Sequence, residues 1–272
     1  MGAWAAKTPS LALLIDVGRC NLLETSRKVI KFGKSVAAKG PLMASRVSRE
    51  IAKGAELRVV SWNLLRRVGA GIEDIARLVK SHHPDLLFLQ EATEEVAALP
   101  SLVGGHFFRH AMDRRIYGLA AWSPQPFPQT TALRLPASVL PGRVPPRHAQ
   151  LVQFGGISFA NVHLSHGQFL NRWQLLHIAS ALEGPAAIIG DFNAVGPTLL
   201  PGLLPGFRDI GPRRRTHRSA NIVNLRLDRC LARGVGAMGS KVLERGASDH
   251  HPIVLDLAMM SQSLERGALL AL

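Results

Sequence analysis

The sequence predicts an α+β domain, and three observations support that class. Short apolar runs outnumber stretches with helical spacing. The runs are separated by glycine, proline and polar turns. Several of them end abruptly in one or two polar residues. The 272 residues are 47% hydrophobic, enough for one large domain or two small ones with a substantial core. No apolar run reaches the roughly 18 residues that span a bilayer; the best candidate, 11–15 (LALLI), is broken at once by Asp16.

The elements follow in chain order. Residues 57–62 (LRVVSW) read as a strand ending at Asn63. A helix comes next, with Ile72, Ile75, Ala76, Leu78 and Val79 on one face. The run His82-His83-Pro84 stops it. Residues 86–89 (LLFL) form a continuous apolar run that suits a strand buried on both faces, ending at Gln90 and Glu91. Strands are expected at 118–122 and 149–154, joined by a proline-rich loop, and again at 157–162, ending at His163. Residues 171–182 have helical character, and 186–189 (AAII) form a strand ending in Gly190, Asp191, Phe192 and Asn193. Residues 207–219 read as an arginine-laden loop, and 225–231 as one strand of mixed pattern containing Asp228. A loop with Asp249 and His250 then feeds a last buried strand.

Charge and cysteine content bound the function. Lys and Arg number 33 against 19 Asp and Glu, a formal net charge of +14 that favours polyanionic partners. The two cysteines, Cys20 and Cys230, are too few for a disulfide framework or a cysteine zinc site, which leans towards a reducing, cytoplasmic setting. Residues 1–55 are strongly basic, with Leu22, Leu23, Val29, Ile30, Phe32 and Val36 loosely at helical spacing among the lysines. Such a segment suits a basic amphipathic helix on an anionic membrane surface or on nucleic acid, a disordered extension, or a targeting sequence. Met43 is an alternative start. No feature implies a protein partner.

One pattern carries chemistry. Asn63, Glu91, His163, Asp191 with Asn193, and Asp249 with His250 all stand at strand ends, where sheets present their functional loops. Hard oxygen ligands suit Mg2+ or Mn2+. The sequence has neither a Walker-type loop nor a Gly-x-Ser-x-Gly elbow. What fits is metal-assisted attack of water on a phosphate ester.

The blocks Ser61-Trp62-Asn63, Leu89-Gln90-Glu91, Asn161-Val162-His163-Leu164, Gly190-Asp191-Phe192-Asn193, Arg226-Leu227-Asp228 and Ser248-Asp249-His250 resemble, in order, the signature blocks of the endonuclease/exonuclease/phosphatase superfamily. The resemblance spans 56–258, leaving 1–55 as a basic extension and 259–272 as a tail. It implies a four-layered α/β/β/α sandwich of two mixed β-sheets flanked by helices, with the site at the sandwich rim. It also implies roles. Glu91 would bind the metal, with Asn63 beside it and Asp249 supporting the shell. His250 would be the general base, held by Asp228. Asp191 and Asn193 would orient water and phosphate, and His163 would stabilise the pentacovalent phosphate or assist the leaving oxygen. Arg172 and Arg215 are, with Asn63, the candidate substrate contacts. Apurinic-site endonucleases of the superfamily carry an acid two residues after the asparagine, where this chain has Leu65, and a mid-chain tyrosine, where the sole tyrosine here is Tyr117. The His163-Leu164 block is closer to the deoxyribonuclease-like and sphingomyelinase-like branches.

The arginines at 208, 213, 214, 215, 218, 226, 229 and 233 could track a nucleic-acid backbone or hold a lipid head group. With 6% aromatic residues, sequence-specific base reading is not supported. The leading expectation is therefore a metal-dependent phosphodiesterase on nucleic acid. A phospholipid or inositol-phosphate hydrolase and a non-catalytic binding protein are the alternatives.

Overall fold

The computed structural model describes residues 56–66, 68–113, 115–127, 130–138, 146–196, 203–219 and 223–260. The basic extension with its candidate helix, Met43 and Cys20, and all but the start of the expected tail, lie outside the described residues.

In chain order the first half runs β1 (Leu57–Asn63), α1 (Ile72–His82), β2 (Leu86–Thr93), a 3-10 turn (Glu94–Ala98), α2 (Leu99–Val103), β3 (His106–Ala111), β4 (Tyr117–Ser123) and β5 (Thr130–Arg134). The second half runs β6 (His148–Phe154), β7 (Ile157–His163), α3 (Gln168–Ala181), β8 (Ala186–Asp191), β9 (Arg208–Asp209), β10 (His217–Ser219), β11 (Val223–Leu225), β12 (Asp228–Arg233), β13 (Val235–Val242) and β14 (Ile253–Met259). Two mixed six-stranded sheets result, ordered β13-β14-β1-β2-β4-β3 and β5-β6-β7-β8-β12-β9. This is the expected sandwich. No described helix is long and apolar enough to cross a membrane.

The apolar runs lack alternation because both strand faces are covered. Val59 and Phe88 point between the sheets, where Phe88 meets Phe159 of the other sheet at 5.7 Å between ring centroids. Their chain neighbours Val60, Leu87 and Leu89 point outward and pack with Ile75, Leu78 and Val79 of α1. On the second sheet, Ala160, Val162 and Ile188 likewise pack with Leu175 and Ile178 of α3. Full burial of each Val, Leu, Ile or Phe among them contributes about 1.5–3 kcal/mol.

Each sheet contains one parallel pair with a helical crossover, β1-α1-β2 and β7-α3-β8. Strands that run parallel end at the same edge, so both sheets bring strand C-termini to their polar residues. A buried amide network joins the sheets there. Gln90 Nε2 donates to Ser61 Oγ (3.0 Å) and Asn161 Oδ1 (2.8 Å), while Asn161 Nδ2 donates to Gln150 Oε1 and the Ala120 carbonyl (both 3.1 Å). Asn161→Leu would strand these buried partners. It is expected to destabilise the fold by about 3 kcal/mol in urea unfolding.

The structure departs from the expected elements in several places, the 3-10 turn and α2 over 94–103 among them. The strands β3, β5 and β13 are not expected from the sequence, because their half-exposed segments, broken by His, Thr or Gly, lack the apolar signal. The expected strand 225–231 is two strands, β11 and β12, which lie in different sheets. Three short strands, β9 to β11, interrupt or border the arginine loop. Tyr117 opens β4 rather than preceding it.

Candidate active site

Register in the second sheet assembles the first part of the site. His163 ends β7 and aligns with Asp191, which ends β8; Asp191 aligns in turn with Asp228, which opens β12. Aligned residues of neighbouring strands project to the same face, so a single row forms. His163 Nε2 lies 3.4 Å from Asp191 Oδ2. Gly190 makes this possible: its φ is +140°, and a Cβ there would fall 2.1 Å from the Val162 carbonyl oxygen.

The first sheet contributes Asn63. Its Nδ2 donates to Asp191 Oδ2 (3.0 Å), and its Oδ1 accepts from the Leu65 N–H (3.1 Å). Asn63 thus fixes Asp191 from the opposite sheet. The Asn193 N–H donates to Asp191 Oδ1 (2.9 Å), and the Asn193 amide donates to the Leu164 carbonyl (3.0 Å), tying the loops after β7 and β8 together.

His250 arrives on the loop before β14. Its Nδ1 sits 2.8 Å from Asp228 Oδ2, and its Nε2 sits 3.8 Å from Asp191 and 4.0 Å from Asp249. Two bonds pin this loop to the end of β1, and a third braces it internally. Ser248 Oγ donates to the Asn63 carbonyl (2.7 Å) and accepts from the His250 N–H (3.1 Å), and Trp62 Nε1 donates to the His250 carbonyl (3.0 Å). Thr216 Oγ1 accepts from the Leu227 and Asp228 N–H groups (3.1 and 2.9 Å), fixing the start of β12.

The two imidazoles are pushed in opposite directions. Burial opposes charge on both. At His250 the carboxylates of Asp228, Asp191 and Asp249 outweigh it and hold the imidazolium up to about 10. At His163 burial wins over Asp191, taking it down to about 3. Burial also works against the Asp191 carboxylate, yet His250, His163, Asn193 and Asn63 together hold it below its ordinary value.

His163 therefore makes the fold acid-sensitive. The unfolded chain binds a proton at this side chain near pH 6.5 and the folded chain does not, so stability falls as pH drops from 6.5 towards 3. The loss is expected to reach about 3 kcal/mol near pH 4.5. His163→Gln should flatten that limb of the stability profile in chelator-containing buffer.

Glu91 stands inside β2 rather than at its end. Strand pairing shifts between Leu89 and Ala92, and Glu91 takes φ +55°, a bulge that re-aims its side chain. Its Oε2 is buried with no hydrogen-bond partner, and Arg66 Nη1 stands 3.7 Å away. Burial pushes its carboxyl up, against Arg66. An orphaned carboxylate oxygen of this kind fits a hard divalent cation. Among the described residues, two clusters bring three ligand atoms within 4.8 Å of one another: Asp191/Asp228/His250 and His217/Asp249/His250. Asp249 thus lies apart from Glu91 in these groupings, its Oδ2 3.3 Å from His217 Nε2.

Arg147 was not anticipated. It is buried just before β6, and its Nε and Nη1 have no hydrogen-bond partner. Burial lowers its affinity for its proton, while Tyr117, Asp191 and Glu91 raise it. One arginine after a proline-rich loop gives no signal in a chain with 33 cationic residues.

Much of the arginine cluster is structural. Arg226 makes a bidentate pair with Asp209 (2.7 Å each), Arg229 donates to the Ala194 and Gly196 carbonyls, and Arg233 donates to the Leu182 carbonyl and lies over Phe207. Arg172 reaches back one turn to Gln168 (3.3 Å). Arg215 is exposed and lines, with Arg214, Asn224 and His251, a groove of about 580 Å³.

The endonuclease/exonuclease/phosphatase family matches residues 60–250, from β1 to the His250 loop. The chain belongs to that family. Membership supports a metal-dependent hydrolase of phosphoester bonds. The chain is 22% identical over 261 residues to a UPF0294 protein of Vibrio campbellii, covering 88% of this chain and 90% of that one. In fold it is similar to a functionally unknown conserved protein of Enterococcus faecalis (TM-score 0.64, 19% identity, 75% of this chain, 100% of the other). It is also similar to an endonuclease/exonuclease/phosphatase of Bacteroides vulgatus (0.62, 16%, 76% and 100%) and to D. rerio TDP2 complexed with a single-strand DNA product (0.61, 17%, 75% and 99%).

Proposed function

We propose that this protein is a divalent-metal-dependent phosphodiesterase acting on nucleic acid. The observation that carries the reading is the chain of contacts His163–Asp191–His250–Asp228, beside two groups of opposite charge with buried atoms that make no hydrogen bond, Glu91 and Arg147. Glu91 would hold Mg2+ or Mn2+ through its free Oε2; once bound, the ion would polarise a phosphate oxygen. We place Asp249 outside that centre, because it is turned to His217.

The chain's own residues supply the remaining steps. His250 takes the proton of the attacking water on Nε2, and Asp228 fixes the ring through Nδ1 and stabilises the imidazolium. Asp191, held by Asn63 and Asn193, orients that water. Arg147 donates to the charged equatorial oxygens of the phosphate, and His163 donates to the same oxygens or to the leaving one. The groove with Arg214 and Arg215 begins beside His251 and accommodates a neighbouring stretch of backbone. The single-strand DNA product bound by D. rerio TDP2 agrees with this substrate class.

Hydrolysis of bis(p-nitrophenyl) phosphate, then of DNA and RNA, with Mg2+, Mn2+ or EDTA tests the proposal. Turnover abolished by EDTA and restored by either ion is the expected result. Metal-independent turnover would overturn it.

A second reading, phospholipid or inositol-phosphate hydrolysis at a membrane, has one observation in its favour. Phe169, Trp173 and Leu176 form an outward stripe on α3, exposed by 89%, 54% and 42%. Vesicle binding lost in Phe169→Ser/Trp173→Ser, with cleavage of lipid and not of nucleic acid, would establish it.

A further inference from the structure

We infer that His217, Asp249 and His250 form a second cation site, selective for a borderline transition metal such as Zn2+, whose occupancy shuts the enzyme off. The inhibitory part rests on the proposed role of His250; the site itself does not.

The donor set is unlike that of Glu91. Two imidazoles and one carboxylate bring their ligand atoms within 4.8 Å of one another. His217 Nε2 and Asp249 Oδ2 are 3.3 Å apart, and His250 Nε2 is 4.0 Å from Asp249 Oδ1. Two histidines, one carboxylate and an open fourth position are a common zinc arrangement, whereas Mg2+ strongly prefers oxygen. Asp249 Oδ1 is buried without a hydrogen-bond partner, so the cluster has an unused ligand atom.

The surroundings pre-orient the ligands. Asp228 binds His250 Nδ1 at 2.8 Å, which leaves Nε2 facing inward; a carboxylate behind a ligating imidazole is the usual support of a metal-binding histidine. His217 is fixed by its strand. It bridges to His250 across β10, its ring lies 4.5 Å from the His250 ring, and the next residue's N–H donates to the Asp249 carbonyl (3.0 Å). The three ligands are therefore held by backbone pairing.

Function follows from one shared atom. His250 Nε2 cannot accept a proton from water while its lone pair is bound to a metal. The same nitrogen serves as base when the site is empty and as ligand when it is filled. His217 makes no contact that the proposed hydrolysis needs.

The test uses the full chain with saturating Mg2+, titrated with Zn2+ against a chromogenic chelator. Wild type is expected to bind one Zn2+ per chain and to rise in Tm with zinc. His217→Phe, which keeps an aromatic ring against His250, and His217→Gln are expected to bind at least about tenfold more weakly, since loss of even an outer-shell partner costs that much. Hydrolysis by wild type should be inhibited by zinc without competition from Mg2+. Both variants should retain their zinc-free rate and need about tenfold more zinc for inhibition. Equal zinc affinity in wild type and both variants would overturn the site. Inhibition relieved by Mg2+ would put the ion at Glu91 and overturn it as well. Zinc bound as expected with undiminished hydrolysis would overturn the inhibitory role. If no substrate is cleaved at all, binding and Tm still decide the site, and only the phosphodiesterase reading fails.

Discussion

His250→Ala is expected to lower metal-dependent hydrolysis roughly 10³-fold, the middle of the range for losing a positioned general base. Its Nε2 faces Asp191, and the expected water, while its Nδ1 is held by Asp228 at 2.8 Å; His163 also turns its Nε2 to Asp191 but has no carboxylate on its other nitrogen. The alanine variant keeps the backbone bonds of the loop, because Ser248 and Trp62 bind the main chain of residue 250. Asp228 loses its buried partner, however, so a loss of about 3 kcal/mol in a urea melt is expected, and steady-state kinetics on the folded protein would separate the two effects. Asp228→Asn should cost less than His250→Ala, since it removes orientation and charge while leaving the base. The base works in its neutral form, and three carboxylates favour the protonated form. The wild-type rate should accordingly rise with pH through the neutral range. Activity of His250→Ala within about tenfold of wild type would sink the mechanism.

Arg147→Met is the second large effect, and it is diagnostic because stability and activity should move apart. A buried guanidinium with two unpaired donor groups costs folding free energy. Replacing it by an apolar side chain of similar length is expected to leave Tm unchanged or raise it. The rate should fall roughly 10²-fold, the cost of losing one preorganised donor to the transition-state charge. A purely structural arginine would give the reverse pattern, lower stability with the rate little changed. Arg147→Lys should recover part of the rate, since it restores charge without the guanidinium fork.

How far the site was legible depended on whether chemistry or register carried it. Asp191, His163, Asn63 and His250 were visible because each ends or precedes an apolar run, and the structure brings all four together. Glu91 was visible in type but not in setting: the bulge that turns it inward arises from a pairing shift that a local sequence window does not contain. Arg172 and Arg215 rested on charge alone, and long cationic side chains take whatever partner the fold offers. Arg172 finds Gln168 on its own helix, and Arg215 faces solvent. Arg226 and Arg229 show the same ambiguity resolved towards structure, through Asp209 and two carbonyls.

By itself the sequence determined the two-faced strands, the helical crossovers and the identity of the acids and imidazoles, because apolar runs and their polar ends are local properties of the chain. The tertiary structure alone decided which of these groups hydrogen-bond to one another, which have atoms left without a partner and which face a second imidazole. Those outcomes depend on strand register, on the sheet-to-sheet bond from Asn63 to Asp191, and on burial that raises the imidazolium at His250 while suppressing it at His163. Charge interactions at 3–4 Å are set by neighbours tens of residues apart, and no local pattern encodes that distance.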